Sequence, residues 1–228
     1  MAASDSAAPI GRSAVIAGAS GLVGRNCLPA LLDHYARVTV LTRRELAVEH
    51  PRLMQKVIQF DDLAQMDLQA DDFFSALGSH PDEVGWEAFA KVEFDYPKAL
   101  AERAAESGAR QFLFVTIADA KHTSAFRKFT KMKRQLEAIT ANLPFHAVHV
   151  FRPGLLLGKR EKPRKDERWM HAVLPRLSPL MLGAFSKYRP VPARDVGRAM
   201  VAAALGQDAG FHIYHYKEMQ ALSASLNT

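Results

Sequence analysis

Seven consecutive residues carry the clearest chemistry in this sequence: Gly18-Ala19-Ser20-Gly21-Leu22-Val23-Gly24. Glycines at that spacing let the backbone turn tightly and approach a ligand that side chains would hold off. The apolar run Ala14–Ala17 in front of them reads as a buried strand, and Leu22–Leu32 behind them repeats apolar residues at helical spacing. A strand, a glycine turn and a helix N-terminus bring unpaired N–H groups and a positive dipole end to one point, which suits a pyrophosphate. Ser20 adds a hydroxyl donor. An acidic side chain about twenty residues further on would accept bonds from the adenosine ribose of NAD. Positions 39–44 hold no Asp or Glu, and the second strand ends instead in Arg43 and Arg44. Guanidinium forks pair with a phosphate monoester, so the expected cofactor is NADP(H), with NAD(H) second. Asp61 or Asp62 could hold the adenine amino group, or could cap a helix or turn.

These residues need a scaffold, and the rest of the chain reads as one. Strands are expected at Ala14–Ala17, Arg37–Leu41, Val57–Phe60, Phe73–Leu77, Gln111–Val115, Ala147–Phe151 and Phe211–Tyr214. Helical patterns fall at Leu22–Leu32, Trp86 to about Ser107 with Gly108 as its stop, Ala125–Ala141, Trp169–Leu182 and Arg194–Leu205. Strands alternating with helices make a parallel sheet covered on both faces. Right-handed crossovers then favour a Rossmann-type doubly wound α/β fold. We expect a flexible tail over residues 1–11 and a single domain over 12–228. Within it a small C-terminal substrate lobe spans about 152–190, where the alternation loosens.

Composition excludes several classes. One cysteine, Cys27, rules out an intrachain disulfide and favours a cytoplasmic location. No apolar run is long enough to span a bilayer, and no secretory signal pattern opens the chain. The net charge of +6 is uneven: residues 1–120 carry 11 basic and 17 acidic side chains, residues 121–170 carry 13 and 4. That basic stretch reads as a solvated helix face and loop, or as a rim steering an anionic ligand. Nucleic acid is disfavoured, because no zinc-finger, helix-turn-helix or aromatic-plus-basic motif accompanies it. The pairs His146/His149 and His212/His215 stand three apart in strands, so their members point to opposite faces and make poor metal sites. Cys27 reads as a buried structural thiol, and Asp195 as a helix cap.

The glycine turn, Thr42-Arg43-Arg44, Leu77-Gly78, the segment around Val92 and Asp95-Tyr96, and Arg152-Pro153-Gly154 occur in an order that resembles the atypical short-chain dehydrogenase/reductases. Within them the chain looks most like the Tat-interacting-protein branch, over about Ser13 to Leu205. The resemblance implies NADP(H) contacts from Gly18, Ser20, Gly21, Leu22, Val23, Arg43, Arg44, Leu77 and Gly78. It also places the backbone after Pro153 near the nicotinamide.

The sequence departs from that family where chemistry would happen. Short-chain reductases use Ser with Tyr-x-x-x-Lys, whose spacing puts both side chains on one helical face. The lysine and the cofactor lower the phenol's pKa so that it can exchange a proton with substrate oxygen. Here the alignment sets Phe129 at the tyrosine position and Lys133 at the lysine, while the serine position falls at Thr116 or Ile117. A phenyl ring has no proton to give. Thr116 could bond a substrate carbonyl, His122 could act as acid from its loop, and Lys133 could hold the nicotinamide ribose. Two functions follow: an NADP(H)-dependent oxidoreductase acting on an unidentified small carbonyl or enone compound with an altered proton donor, or a cofactor-binding regulator without redox chemistry that answers to a protein partner. The Met, Phe and Leu residues of 169–185 could close the substrate site or form a homodimer patch.

Overall fold

Successive residues of a strand send their side chains to opposite faces, so apolar residues two apart line one face, and that rule organises the sheet. In the computed structural model, which describes residues 10–118, 124–159, 181 and 183–226, seven parallel strands form one sheet. They are β1 (Ile10–Ala17), β2 (Tyr35–Thr42), β3 (Leu53–Val57), β4 (Asp72–Ser75), β5 (Gln111–Val115), β6 (Ala147–Phe151) and, after a two-residue pair β7 (Leu156–Leu157) and β8 (Val191–Pro192), β9 (Gly210–Tyr214). The order across the sheet is β3-β2-β1-β4-β5-β6-β9. Ile16, Val38, Phe74 and Leu113 face α1 (Gly24–His34) and the helix Ala193–Gly206. Their neighbours Val15, Leu41, Phe73, Phe112 and Phe114 face the helices Tyr96–Glu106 and Ser124–Ala141. With a core on each face, this is the expected Rossmann-type doubly wound sheet.

The remaining helices in chain order are α2 (Pro81–Val84) and α3 (Trp86–Ala90); Tyr96–Glu106 is then α4, Ser124–Ala141 α5, Ala193–Gly206 α6, and Tyr216–Ser225 α7. Helix α6 lies tightly on α1: a Cβ at Gly197 would come within 2.7 Å of the Cys27 nitrogen. Cys27 itself is fully buried, and burial pushes its thiol far up from the usual range. It is a structural thiol, as expected.

Four expectations need correction. β3 is Leu53–Val57 rather than 57–60; Phe60 enters the core instead from a 3-10 turn, Phe60–Gln65. β3 is an edge strand whose Met54 and Val57 are about half exposed, so it lacks the apolar run that marks a central strand. The long helix expected from Trp86 is broken into α3, a π-helical turn at Lys91–Asp95, and α4. Its predicted stop holds, with Gly108 at φ +77°. Helix α7 was not foreseen because its N-cap is His215, outside the usual Ser/Thr/Asp/Asn set, paired with Glu218 as a capping box. Residues 10 and 11 of the expected tail belong to β1. The rest of that tail, the helix expected over 169–182 and most of the substrate lobe lie outside the described residues.

A buried polar cluster ties β4, β5, β6 and β9 together. The Gln111 amide nitrogen donates to Asp72 and to the Ala204 carbonyl, leaving its oxygen to accept from His149 Nε2 at 2.9 Å. The Tyr214 hydroxyl therefore donates to His149 Nδ1, also at 2.9 Å. Burial, with His212 stacked alongside, pushes His149 down to about 3. The unfolded imidazole takes a proton below about 6.5 while the folded one does not. Stability should therefore fall as pH drops below that value, until the folded pKa is reached. Between pH 6.5 and 5 we expect the wild type to lose roughly 1 kcal/mol per pH unit more than a His149→Gln variant, read from urea unfolding. Parallel curves for the two proteins would show that His149 is not the linked group.

Candidate cofactor-binding and active site

The sheet order reverses between β1 and β4, which opens a crevice at the C-terminal ends of the strands. The glycine turn fills that point. Gly18 has φ +89°, and a Cβ there would sit 2.5 Å from the Ala76 carbonyl. A Cβ on Gly24 would lie 2.1 Å from the Gly18 oxygen. Gly21 N–H donates to that same oxygen at 2.9 Å and closes the turn. Helix α1 then starts with no side-chain cap and no acidic residue in its first turn. A tight backbone cradle and an uncapped positive helix end fit the pyrophosphate of a dinucleotide.

Arg43 and Arg44 follow β2, both exposed and without an ion pair among the described residues. The Thr42 hydroxyl donates to the Arg44 carbonyl at 2.7 Å and so shapes this strand end. Ser20, Arg25 and Arg44 share a hollow of about 530 Å³ between α1 and the loop after β2. Asp61 does not cap a helix: its Oδ1 accepts from Lys91 at 3.2 Å and from the Tyr96 hydroxyl at 3.1 Å. Neither it nor Asp62 is the N-cap of the 3-10 turn, a position held by Gln59.

A second opening, about 440 Å³, runs from the glycine turn along the crevice to the residues that follow β5 and β6. It brings together most of the residues singled out in the sequence: Gly21, Leu22, Val23, Leu77, Gly78, Thr116, Phe129 and Lys133. The segment after Arg152 reaches the same place through Gly154 and Leu155, and Ala118 N–H donates to the Pro153 carbonyl at 2.9 Å. Pro153 itself is buried beneath this segment. His122 lies outside the described residues.

Two candidate catalytic groups are in different states from those expected. Thr116 is buried, and its hydroxyl donates to Glu137 Oε1 at 2.8 Å. Glu137 also accepts from Arg134 and from Arg152, the latter at 2.5 and 3.1 Å. A hydroxyl proton already aimed at a carboxylate is not available to a carbonyl. Lys133 is 2 % exposed, with Nζ 2.6 Å from Glu93 Oε2 and 2.9 Å from the Glu93 carbonyl. Glu93 Oε1 accepts from Ser79 N–H at 2.6 Å, which ties the loop after β4 to the same pair. Phe129 faces Phe89 at 5.1 Å, and Phe89 faces Trp86 at 5.3 Å, so an aromatic wall lines one side.

Sequence reasoning missed Glu93 and His80. Glu93 was hidden because a regular helix through Trp86–Ser107 aims it elsewhere; the π turn re-aims it. His80 had a readable signal in His80-Pro81-Asp82, since proline at the first helical position marks a helix start. Among the described residues no group of three or more His, Cys, Asp or Glu side chains could hold a metal. Asp195 stands in the first turn of α6 without capping it and accepts from Gln220 at 2.8 Å.

The sequence pattern of the NAD dependent epimerase/dehydratase family matches residues 14–216, and the chain belongs to that family of NAD(P)-binding Rossmann proteins. Among its relatives is the rat protein HTATIP2, 32% identical over 167 residues, which cover 70% of this chain and 68% of that one. Protein FMP52, mitochondrial, of Eremothecium gossypii is 32% identical over 208 residues, covering 86% and 90%. Among solved structures, MoeE5 in complex with UDP-glucose and NAD superposes with a TM-score of 0.64 at 15% identity, covering 94% of this chain and 81% of that one. Bordetella bronchiseptica WbmH in complex with NAD+ gives 0.66 at 18%, covering 90% and 75%. These likenesses bear out the fold. The family is one of NAD(P)-dependent oxidoreductases. The cytoplasmic placement is overturned, because fungal relatives are mitochondrial proteins by name. A lone cysteine excludes a disulfide but does not tell one reducing compartment from another. No described helix is long and apolar enough to cross a membrane.

Proposed function

We propose that this protein binds NADP(H) across the glycine turn and uses it in the reduction or oxidation of a small carbonyl-type compound. One observation carries the reading: the turn opens without interruption into the cleft that holds Thr116, Phe129 and Lys133. Gly18, Gly21 and the first turn of α1 would hold the pyrophosphate, and Arg43 and Arg44 a 2′-phosphate. Gly78, Lys133 and the backbone after Pro153 would border the nicotinamide. The bound cofactor would supply or accept the hydride. The chain's own share is to exclude water with Trp86, Phe89 and Phe129 and to orient the carbonyl between β5 and the aromatic wall.

A second reading, a cofactor-dependent regulator, is favoured by the same cleft. Phe129 has no proton, and Lys133 is neutralised by Glu93. That reading predicts binding without turnover, and a protein partner that prefers one cofactor state.

Calorimetric titration with NADPH and NADH tests the common ground. NADPH should bind at least about tenfold more tightly than NADH, one phosphate contact at roughly 1.4 kcal/mol. An Arg43→Ala, Arg44→Ala double variant should bring the two affinities together. Binding of neither nucleotide would overturn both readings, and equal binding of both would overturn the NADP(H) preference.

A further inference from the structure

Three ionisable side chains line the cleft among the described residues: Glu93, Lys133 and His80. The first two neutralise each other in a buried pair. The Thr116 proton is aimed away, at Glu137, and Phe129 has none. Among the described residues of the cleft, His80 is left as an imidazole with a ring N–H to give. Its side chain is 31% exposed, so solvent can recharge it. It stands on the loop between β4 and α2, whose Ser79 N–H is held by Glu93 Oε1 at 2.6 Å. Pro81 follows as the first helical residue and stiffens that loop.

Both protonation states of His80 find a partner in Asp82. The neutral ring accepts the Asp82 N–H at Nδ1, 3.4 Å away. The protonated ring presents Nδ1–H to the Asp82 carboxylate, also at 3.4 Å. In both of these resting states Nε2 carries a proton, and giving it up from the imidazolium leaves the remaining proton on Nδ1, facing the Asp82 carboxylate.

Building on the oxidoreductase reading, we propose that His80 is the proton donor that replaces the missing phenol, and that the cleft takes aromatic carbonyl compounds. The carbonyl carbon accepts a hydride from the reduced nicotinamide, the C=O π pair moves onto oxygen, and that oxygen takes the Nε2 proton of the His80 imidazolium. The products are the alcohol, the oxidised dinucleotide and neutral His80, which regains its proton from water. Trp86, Phe89 and Phe129 provide the faces against which an aromatic substrate stacks.

The test uses NADPH with 4-nitrobenzaldehyde, on wild type, His80→Gln, Phe129→Tyr and the double variant. We expect His80→Gln to lower kcat about 100-fold or more, the usual share of a general acid, with NADPH affinity by calorimetry unchanged. Phe129→Tyr should restore turnover in the His80→Gln background. An NMR titration of the His80 ring should match the pH at which kcat falls as pH rises. Wild-type kcat retained in His80→Gln overturns His80 while leaving the oxidoreductase reading intact. A silent wild type beside an active Phe129→Tyr also overturns His80. Silence in all four with NADPH bound overturns both His80 and turnover of such carbonyls, in favour of the regulator. Failure of NADPH to bind the wild type overturns the cofactor reading beneath them all.

Discussion

Glu93→Ala should destabilise the protein by roughly 3–5 kcal/mol, because it strands the Lys133 ammonium in the core without a counter-charge. Lys133 is 2 % exposed, and among the described residues its Nζ bonds toward Glu93, through the carboxylate at 2.6 Å and the carbonyl at 2.9 Å, beside the Phe129 ring. Burying an unpaired charge costs far more than the pair contributes, so the loss comes mainly from the survivor. Replacing both partners, as Glu93→Leu with Lys133→Met, should return most of the lost stability. Urea unfolding followed by Trp fluorescence reads both. The single variant should also release the loop after β4, since Ser79 N–H loses its acceptor. A single variant as stable as wild type would mean that water reaches Lys133 in solution.

Gly24→Ala should weaken NADPH binding about 100-fold, the worth of two charge-assisted hydrogen bonds at roughly 1.5 kcal/mol each. A methyl group at Gly24 would sit 2.1 Å from the Gly18 oxygen, on backbone that cannot swing aside. Helix α1 must then back away from the turn, and its first N–H groups leave the phosphate position. Stability should fall by about 1–3 kcal/mol through overpacking. Gly11→Ala is the matched control, because nothing lies within 4 Å of its added Cβ. Wild-type affinity in Gly24→Ala would show that the turn does not hold the cofactor.

Much of this architecture was legible before folding was considered. The runs Val15–Ala17, Phe73–Phe74 and Phe112–Phe114 have few polar residues because both their faces are buried, and continuous apolar runs of that kind identify central parallel strands. The glycine turn was legible because its requirement is local: backbone dihedrals and the absence of a Cβ belong to the residues themselves. β3 was misplaced because an edge strand is half wet and its pattern is weak. Helix α7 was missed because its cap used a residue type outside the common set.

The candidate site divides along the same line. Sequence by itself determined the Rossmann scaffold, the turn, the arginines at the end of β2, and the presence of a phenylalanine at position 129. Each follows from residue type and from spacing along one chain segment. Only the tertiary structure decided that Lys133 is spoken for by Glu93, that Thr116 donates to Glu137, and that His80 enters the cleft. Glu93 lies 40 residues before Lys133, and its direction depends on a π turn that no periodicity announces. Charge pairing and proton availability are properties of side chains meeting through space, where burial multiplies the strength of each contact.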